Sequence, residues 1–203
     1  MGIPVQHQVV RAGQGDVPEL VSMLVRTFYD DPVATFMFCR DNKRERALGR
    51  FFKTLIRGDY LKTGEVWTTS EKSGAAVWGP PSKPRPGLKE LFQMMPLLQE
   101  LMPPKHLREA MKELFAVESE RPKIPHWYLA TLGTDPASQG HGVGSALMTS
   151  MLETIDAQHE PAYLESSKER NVPFYRRFGF EVTKELKAVP TGPLIWLMWR
   201  EER

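Results

Sequence analysis

The stretch from His126 to Met148, HWYLATLGTDPASQGHGVGSALM, constrains the fold more than any other part of the chain. Its first nine residues are apolar and aromatic, which predicts a strand in a central position of a sheet. Asp135-Pro136 then turns the chain, and Gly140, Gly142 and Gly144 fall at alternate positions before an amphipathic run that predicts a helix to about His159. A helix N-terminus presents unpaired N–H groups and the positive end of the helix dipole, so it attracts anions. Glycine lets the backbone approach such an anion because no Cβ intervenes. The loop is therefore a candidate phosphate cradle, and its plainer alternative is a tight connection between strand and helix. A dinucleotide fingerprint would need glycine at position 145, where Ser145 stands, and no Gly-Lys-Ser/Thr triplet exists. What remains is Gln139-x-x-Gly142-x-Gly144.

The rest of the chain alternates strands and helices without a repeat. Val5 to Arg11 predicts a first strand, and Val17, Leu20, Val21, Leu24 and Val25 recur with helical spacing behind Asp16, an expected N-cap. A second helix is expected from Asn42 to about Tyr60, followed by a hairpin made of EVWTTS and GAAVWGP. Pro80 to Gly87 reads as a loop, and Leu88 to Val117 as two or more helices carrying Leu91, Phe92, Met95, Leu98, Leu101 and Met102. This methionine-rich stripe is either core or an adaptable apolar wall over a substrate. Further strands are expected at Tyr163–Ser166, Phe180–Lys187 and Leu194–Arg200, with a short helix at Asn171–Phe178. The fold class is α/β (α+β), a mixed sheet covered by helices with the glycine loop at a strand-to-helix crossing.

Composition narrows the partners. A chain of 203 residues with 41% hydrophobic residues suits one elaborated globular domain, and a net charge of +2 gives no reason to expect nucleic acid or membrane. Cys39 is the only cysteine, so no internal disulfide forms and a reducing cytoplasm is expected. The N-terminal residues show no signal peptide, and no apolar run approaches the ~20 residues of a spanning helix. No Cys/His set has metal-ligand spacing, so no metal is expected. His7, His106 and His159 read as solvated, and Cys39 as a small core residue.

A second feature follows the glycine loop: LESSKERNVPFYRRFGFEV, Leu164 to Val182. Asn171 suits an N-cap, Pro173 a first helical turn and Gly179 a helix end. Tyr175 then stands on a short helix beside the strand that carries Glu165. Gln139-x-x-Gly142-x-Gly144 after a strand, followed by Tyr175-x-x-x-Gly179-Phe180, resembles the GNAT superfamily of acetyl-CoA-dependent N-acetyltransferases. DVPELV, VWTTS with AAVWGPPS, and WYLATLGTDPASQGHGVGSAL are similar to the puromycin N-acetyltransferase group within it, though the similarity is patchy from Pro84 to Arg121. Many GNAT members place an asparagine further before the tyrosine, near Lys168 here, whereas this chain has Asn171.

The resemblance implies a largely antiparallel sheet, a single domain over 1–203 and a helical insertion at 79–121 that contributes to the acceptor site. It implies that N–H groups over Gln139, Gly140, His141, Gly142, Val143, Gly144 and Ser145 hold the pyrophosphate of acetyl-CoA, with Asn171 nearby. Leu132, Gly133 and Thr134 would pair with the pantetheine arm, and a backbone N–H near Leu132 would polarise the thioester carbonyl. Tyr175 would protonate the departing thiolate, since a free Tyr has a pKa of about 10 against roughly 8.5 for a thiol. Glu165 is the candidate general base, its alternative being a carboxylate that only orients the substrate. Phe28, Tyr29, Trp127, Tyr128 and Tyr163 are candidate substrate contacts, although alternation puts Trp127 opposite Tyr128 and allows only one of those two to face a cleft. The expected partner is a small-molecule amine, with an aminonucleoside antibiotic as its sharpest form, acting on a monomer or homodimer. A protein or peptide N-terminus and a non-catalytic CoA-binding sensor remain open.

Overall fold

The computed structural model describes residues 7–63, 65–81 and 102–203. Its elements in chain order are β1 (Val9–Arg11), α1 (Val17–Phe28), α2 (Pro32–Met37), α3 (Asp41–Leu55), β2 (Glu65–Thr69), β3 (Gly74–Gly79) and α4 (Pro104–Glu120). There follow β4 (Trp127–Thr134), α5 (Val143–Ala157), β5 (Ala162–Ser166), α6 (Val172–Arg176), β6 (Glu181–Leu186) and β7 (Ile195–Arg200). The strands form one seven-stranded sheet in the order β1-β2-β3-β4-β5-β7-β6, with β4 at its centre as its apolar sequence predicts. Every pair is antiparallel except β4 with β5.

That one parallel pair creates the site. β4 and β5 are in register only from Trp127–Ala162 to Leu129–Leu164. Beyond that point β4 continues beside β3 as far as Thr134, while β5 continues beside β7 as far as Ser166. The sheet thus splits into a V at the carboxyl ends of its two central strands. A β-bulge marks the split: Trp78 pairs with Leu129 and Val77 with Thr131, so Ala130 is the extra residue on β4. The bulge shifts the side-chain phase. Trp127, Leu129 and Leu132 pack in the cluster beneath α5, whereas Ala130 packs in the cluster on the α1–α3 face.

Each face of the sheet is covered by helices with apolar stripes. Leu20 and Leu24 of α1 and Leu48 and Phe52 of α3 close one face over Val77. Leu147, Met151 and Ile155 of α5 close the other over Trp78, Trp127, Leu164 and Met198. These side chains are almost fully buried, and each contributes roughly 1.5–3 kcal/mol.

Three elements differ from expectation. The short helix α2 has no counterpart in the periodicity, and it forms because Asp31 accepts from the N–H groups of Val33 (2.9 Å) and Ala34 (3.3 Å) with Pro32 in the first turn. Helix α3 stops at Leu55, and Ile56–Tyr60 continues as a wider π turn broken at Gly58. Asp16 holds the N-cap position of α1, but its carboxylate accepts from the Gly13 N–H at 2.8 Å and pairs with Lys72 at 2.9 Å instead. The apolar set from Leu91 to Leu101 and most of the Pro80–Gly87 loop lie outside the described residues; Met102 is buried. Among the described residues no helix is long and apolar enough to cross a membrane.

Candidate active site

The V between β4 and β5 is a cleft of about 610 Å³. Its lining runs from β4 through the glycine loop into the first turn of α5, and returns along the end of β5 to α6. The end of α1 and Asp31 complete it.

The glycine-loop side is built mainly from backbone. Gly140 and Gly142 have φ of +80° and +88°, a region that L side chains rarely adopt, and a Cβ built on either meets no atom within 4 Å. Both therefore face open space. Gly142 is the N-cap of α5, and the first helical bond runs from the Ala146 N–H to its carbonyl at 2.9 Å. The N–H groups of Val143, Gly144 and Ser145 in that first turn are left without intrahelical acceptors. Several bonds hold the loop in place: Thr27 Oγ1 and Gln139 Nε2 both donate to the Thr134 carbonyl, at 3.1 and 3.3 Å. Asp135 pairs with Arg26 and accepts from the Ala137 N–H at 3.1 Å, and the Arg26 bond is the main reason its pKa lies below the usual carboxylate value. Helix α1 seats directly on β4, since a Cβ on Gly133 would come within 2.7 Å of Leu24.

Across the V stands Tyr175, 8% exposed and lining the cleft. Phe174 and Phe180 meet its ring edge-on at 5.2 and 6.3 Å. Burial, and then the charge of Asp31, push its pKa up, so the phenol holds its proton across the physiological range. Asp31 is buried, and its Oδ2 accepts from Ser167 Oγ at 2.6 Å, tying the α1–α2 turn to the end of β5.

Glu165 also lines the cleft. Its Oε2 accepts from the Tyr128 hydroxyl at 2.7 Å, and Arg121 faces Oε1 at 3.6 Å. Burial pushes the carboxyl pKa up; Arg121 and the hydroxyls of Tyr128 and Tyr163 pull it back down, and the net direction is upward. Tyr163 stacks on Tyr128 with ring centroids 6.2 Å apart.

The structure brings most of the expected residues to one place. Leu132, Gly133, Thr134, Gln139, Gly140, Gly142, Val143, Gly144, Ser145, Asn171, Glu165, Tyr175 and Phe28 all line the cleft. Five expected residues stand outside the lining, among them Tyr128, which reaches the site only through its hydroxyl on Glu165. Trp127 is 5% exposed beneath α5, on the covered face of β4. Tyr163 is 1% exposed and sits beside Glu165 rather than in the cleft lining. Tyr29 is exposed and lies against the Arg44 guanidinium at 5.3 Å. His141 is exposed outside the cleft lining, where its carbonyl bonds with the ring of His7 at 2.9 Å. Asn171 holds the N-cap position of α6 but makes no side-chain cap bond. His7 and His106 are not free surface residues either: His106 bonds to the Phe36 carbonyl and joins α4 to α2. Cys39 is half-buried rather than core.

Sequence reasoning missed Asp31, Ser167, Arg170 and Arg177, which line the cleft, and Arg121 behind it. Asp31-Pro32 carried a signal, being an N-cap residue before a proline. Arg170 and Arg177 flank Tyr175 in a cationic stretch and share the cleft lining with the glycine loop.

Residues 111–182, from α4 into β6, match the family model of the acetyltransferase (GNAT) domain. An uncharacterized N-acetyltransferase of Schizosaccharomyces pombe is 23% identical over 196 residues, covering 89% of this chain and 79% of that relative. A solved structure of histone acetyltransferase HPA2 and related acetyltransferase, from Corynebacterium glutamicum, is 26% identical with a TM-score of 0.75 over 98% of both chains. The polyamine N-acetyltransferase of Drosophila melanogaster shares the fold, with a TM-score of 0.67 at 16% identity over 97% of this chain and 100% of that one. The chain is thus similar to GNAT acetyltransferases over residues 111–182, which include most of the cleft, and these likenesses support an acetyl-transfer enzyme.

Proposed function

We propose that the enzyme moves the acetyl group of acetyl-CoA directly to a primary amine of a small molecule. The observation that carries this reading is the V between β4 and β5, with anion-seeking N–H groups on one side and a buried, protonated Tyr175 on the other. These features suit acetyl-CoA as co-substrate. N–H groups between Gln139 and Ser145 hold the pyrophosphate, and Arg170 and Arg177 add positive charge along the same cleft. The edge of β4 that β5 leaves unpaired, Leu132 to Thr134, accepts the pantetheine amides as a further strand.

The chemistry follows from the charge states. Glu165 takes a proton from the acceptor ammonium, freeing the nitrogen lone pair to attack the thioester carbonyl. The Leu132 N–H stabilises the oxyanion that forms. When the carbon–sulfur bond breaks, Tyr175 donates its proton to sulfur; the nitrogen's second proton returns to the Tyr175 phenolate, and Glu165 releases its proton to solvent. Phe28 and Glu165 in the same lining suit an acceptor with a flat apolar part and one amine. The likeness to the puromycin N-acetyltransferase group makes an aminonucleoside its sharpest form. Two fold neighbours named for agmatine and for polyamine acetylation support small amines as the class. Arg121, at the end of α4, stands behind Glu165 on the acceptor side.

A thiol-release assay with acetyl-CoA and a panel of puromycin, agmatine, spermidine and N-terminal peptides tests the reading. Turnover with at least one small amine is expected. Turnover confined to peptides, or acetyl-CoA binding with no thiol release from any amine, would overturn it.

A further inference from the structure

Arg121 belongs to no recognised motif, yet it is the most deeply buried cation facing the cleft's carboxylate. It ends α4, where its backbone leaves the helix with ψ of 133°, and its side chain is 9% exposed. Its guanidinium lies 3.9 Å over the Tyr128 ring, 3.2 Å from Glu118 and 3.6 Å from Glu165. Tyr128 spends its hydroxyl on Glu165 Oε2. Glu165 Oε1 is buried with no protein hydrogen bond, and so is Arg121 Nε. Oε1 is therefore the oxygen left to take a proton, with the guanidinium beside it.

We propose that Arg121 is a positioning residue for acetyl transfer: it keeps Glu165 ionised and orients it through Tyr128, so that Oε1 can accept the proton of the acceptor ammonium. This rests on the reading of Glu165 as the base. A carboxylate buried in an apolar and aromatic setting takes up a proton unless a cation is fixed nearby, and a neutral Glu165 has no capacity to deprotonate an ammonium. Stacking on Tyr128 fixes the guanidinium without consuming its charge.

The other groups facing Glu165 set the sign of each variant. Glu118 on α4 opposes ionisation, the hydroxyls of Tyr128 on β4 and Tyr163 on β5 favour it, and Tyr60 faces Tyr128 and Arg121 from the π turn. His126 packs edge-on against Tyr163 at 5.6 Å, and Asp31 lines the same cleft.

The test is a ¹³C NMR titration of the whole protein labelled at glutamate carboxyls, with the Glu165 resonance assigned as the one missing in Glu165→Gln. Arg121→Gln is expected to raise the Glu165 midpoint by a unit or more, a tenfold or greater gain in proton affinity, and Arg121→Lys to restore most of it. Should Arg121→Gln fail to fold, Glu118→Gln serves instead and is expected to lower the midpoint. A midpoint unmoved in folded Arg121→Gln, or unmoved in Glu118→Gln, overturns the proposal. The underlying reading fails separately: Glu165→Gln with undiminished kcat/KM across pH would remove Glu165 as the base while leaving the titration result intact.

Discussion

The two walls of the cleft are built by different means. The glycine-loop wall is backbone: left-handed glycines at 140 and 142, the free N–H groups in the first turn of α5 and the free edge of β4. The facing wall is side chain, assembled from Asp31, Glu165 and Tyr175 and backed by Arg121 and Tyr128, which come from five separate segments. A backbone wall depends on local conformation and tolerates changes of side chain wherever glycine is not required. A side-chain wall depends on tertiary packing, and a single atom removed from it changes the chemistry.

Substitutions sharpen that contrast. The largest loss of turnover is expected in Tyr175→Phe, about 10²- to 10⁴-fold in kcat with acetyl-CoA affinity kept, because the departing thiolate loses its acid. Steady-state kinetics beside calorimetry check it, and an unchanged kcat would break the assignment of proton donor. Glu165→Gln should cost about 10²-fold in kcat/KM near neutral pH, with the deficit narrowing as pH rises and more amine is already neutral. A smaller loss, about fivefold, is expected in Tyr128→Phe from one hydrogen bond to a charged group, and a pH–rate profile should show the acid limb moved upward.

The smallest effect on activity is expected at Glu113, a second buried glutamate in α4. Its carboxyl packs against the 188–192 segment, where a Cβ on Gly192 would come within 2.6 Å of it. Burial pushes its pKa up, with the N–H groups of Val189 and Ala188 opposing. It is not among the residues that line the cleft. Its folded-state pKa is raised, so the native state is favoured at low pH and that advantage is lost as pH rises through the folded pKa. Glu113→Gln should therefore leave kcat/KM unchanged while raising Tm at neutral pH and not at pH 4. A raised carboxyl pKa is thus no mark of function by itself; the cleft distinguishes Glu165 from Glu113.

The same contrast explains what was legible in the sequence. The backbone wall is contiguous, so Gln139 to Ser145 and the strand before it announce a phosphate-seeking loop. The central place of β4 followed from its apolar run, and the hairpin of β2 and β3 from its β-prone residues. The side-chain wall was legible only in part. Tyr175 and Glu165 stood out through the resemblance, whereas Arg121 carries no local pattern and acquires its role only when α4 ends against β5. Aromatic residues misled for a related reason. Alternation set Trp127 and Tyr128 on opposite faces, but only the packing of α5 decides which face is covered. The bulge at Ala130 then shifts the phase of β4, which strict alternation does not anticipate.

Calorimetric titration of acetyl-CoA into the wild type and Gly142→Val tests the central claim most directly. A Cβ at position 142, where φ is +88°, strains the N-cap of α5 and intrudes on the open face of the loop. The account predicts saturable binding to the wild type and at least a hundredfold weaker binding to the variant, with a Tm lower by only a few degrees (about 1–2 kcal/mol). Equal affinity in the two proteins would contradict it.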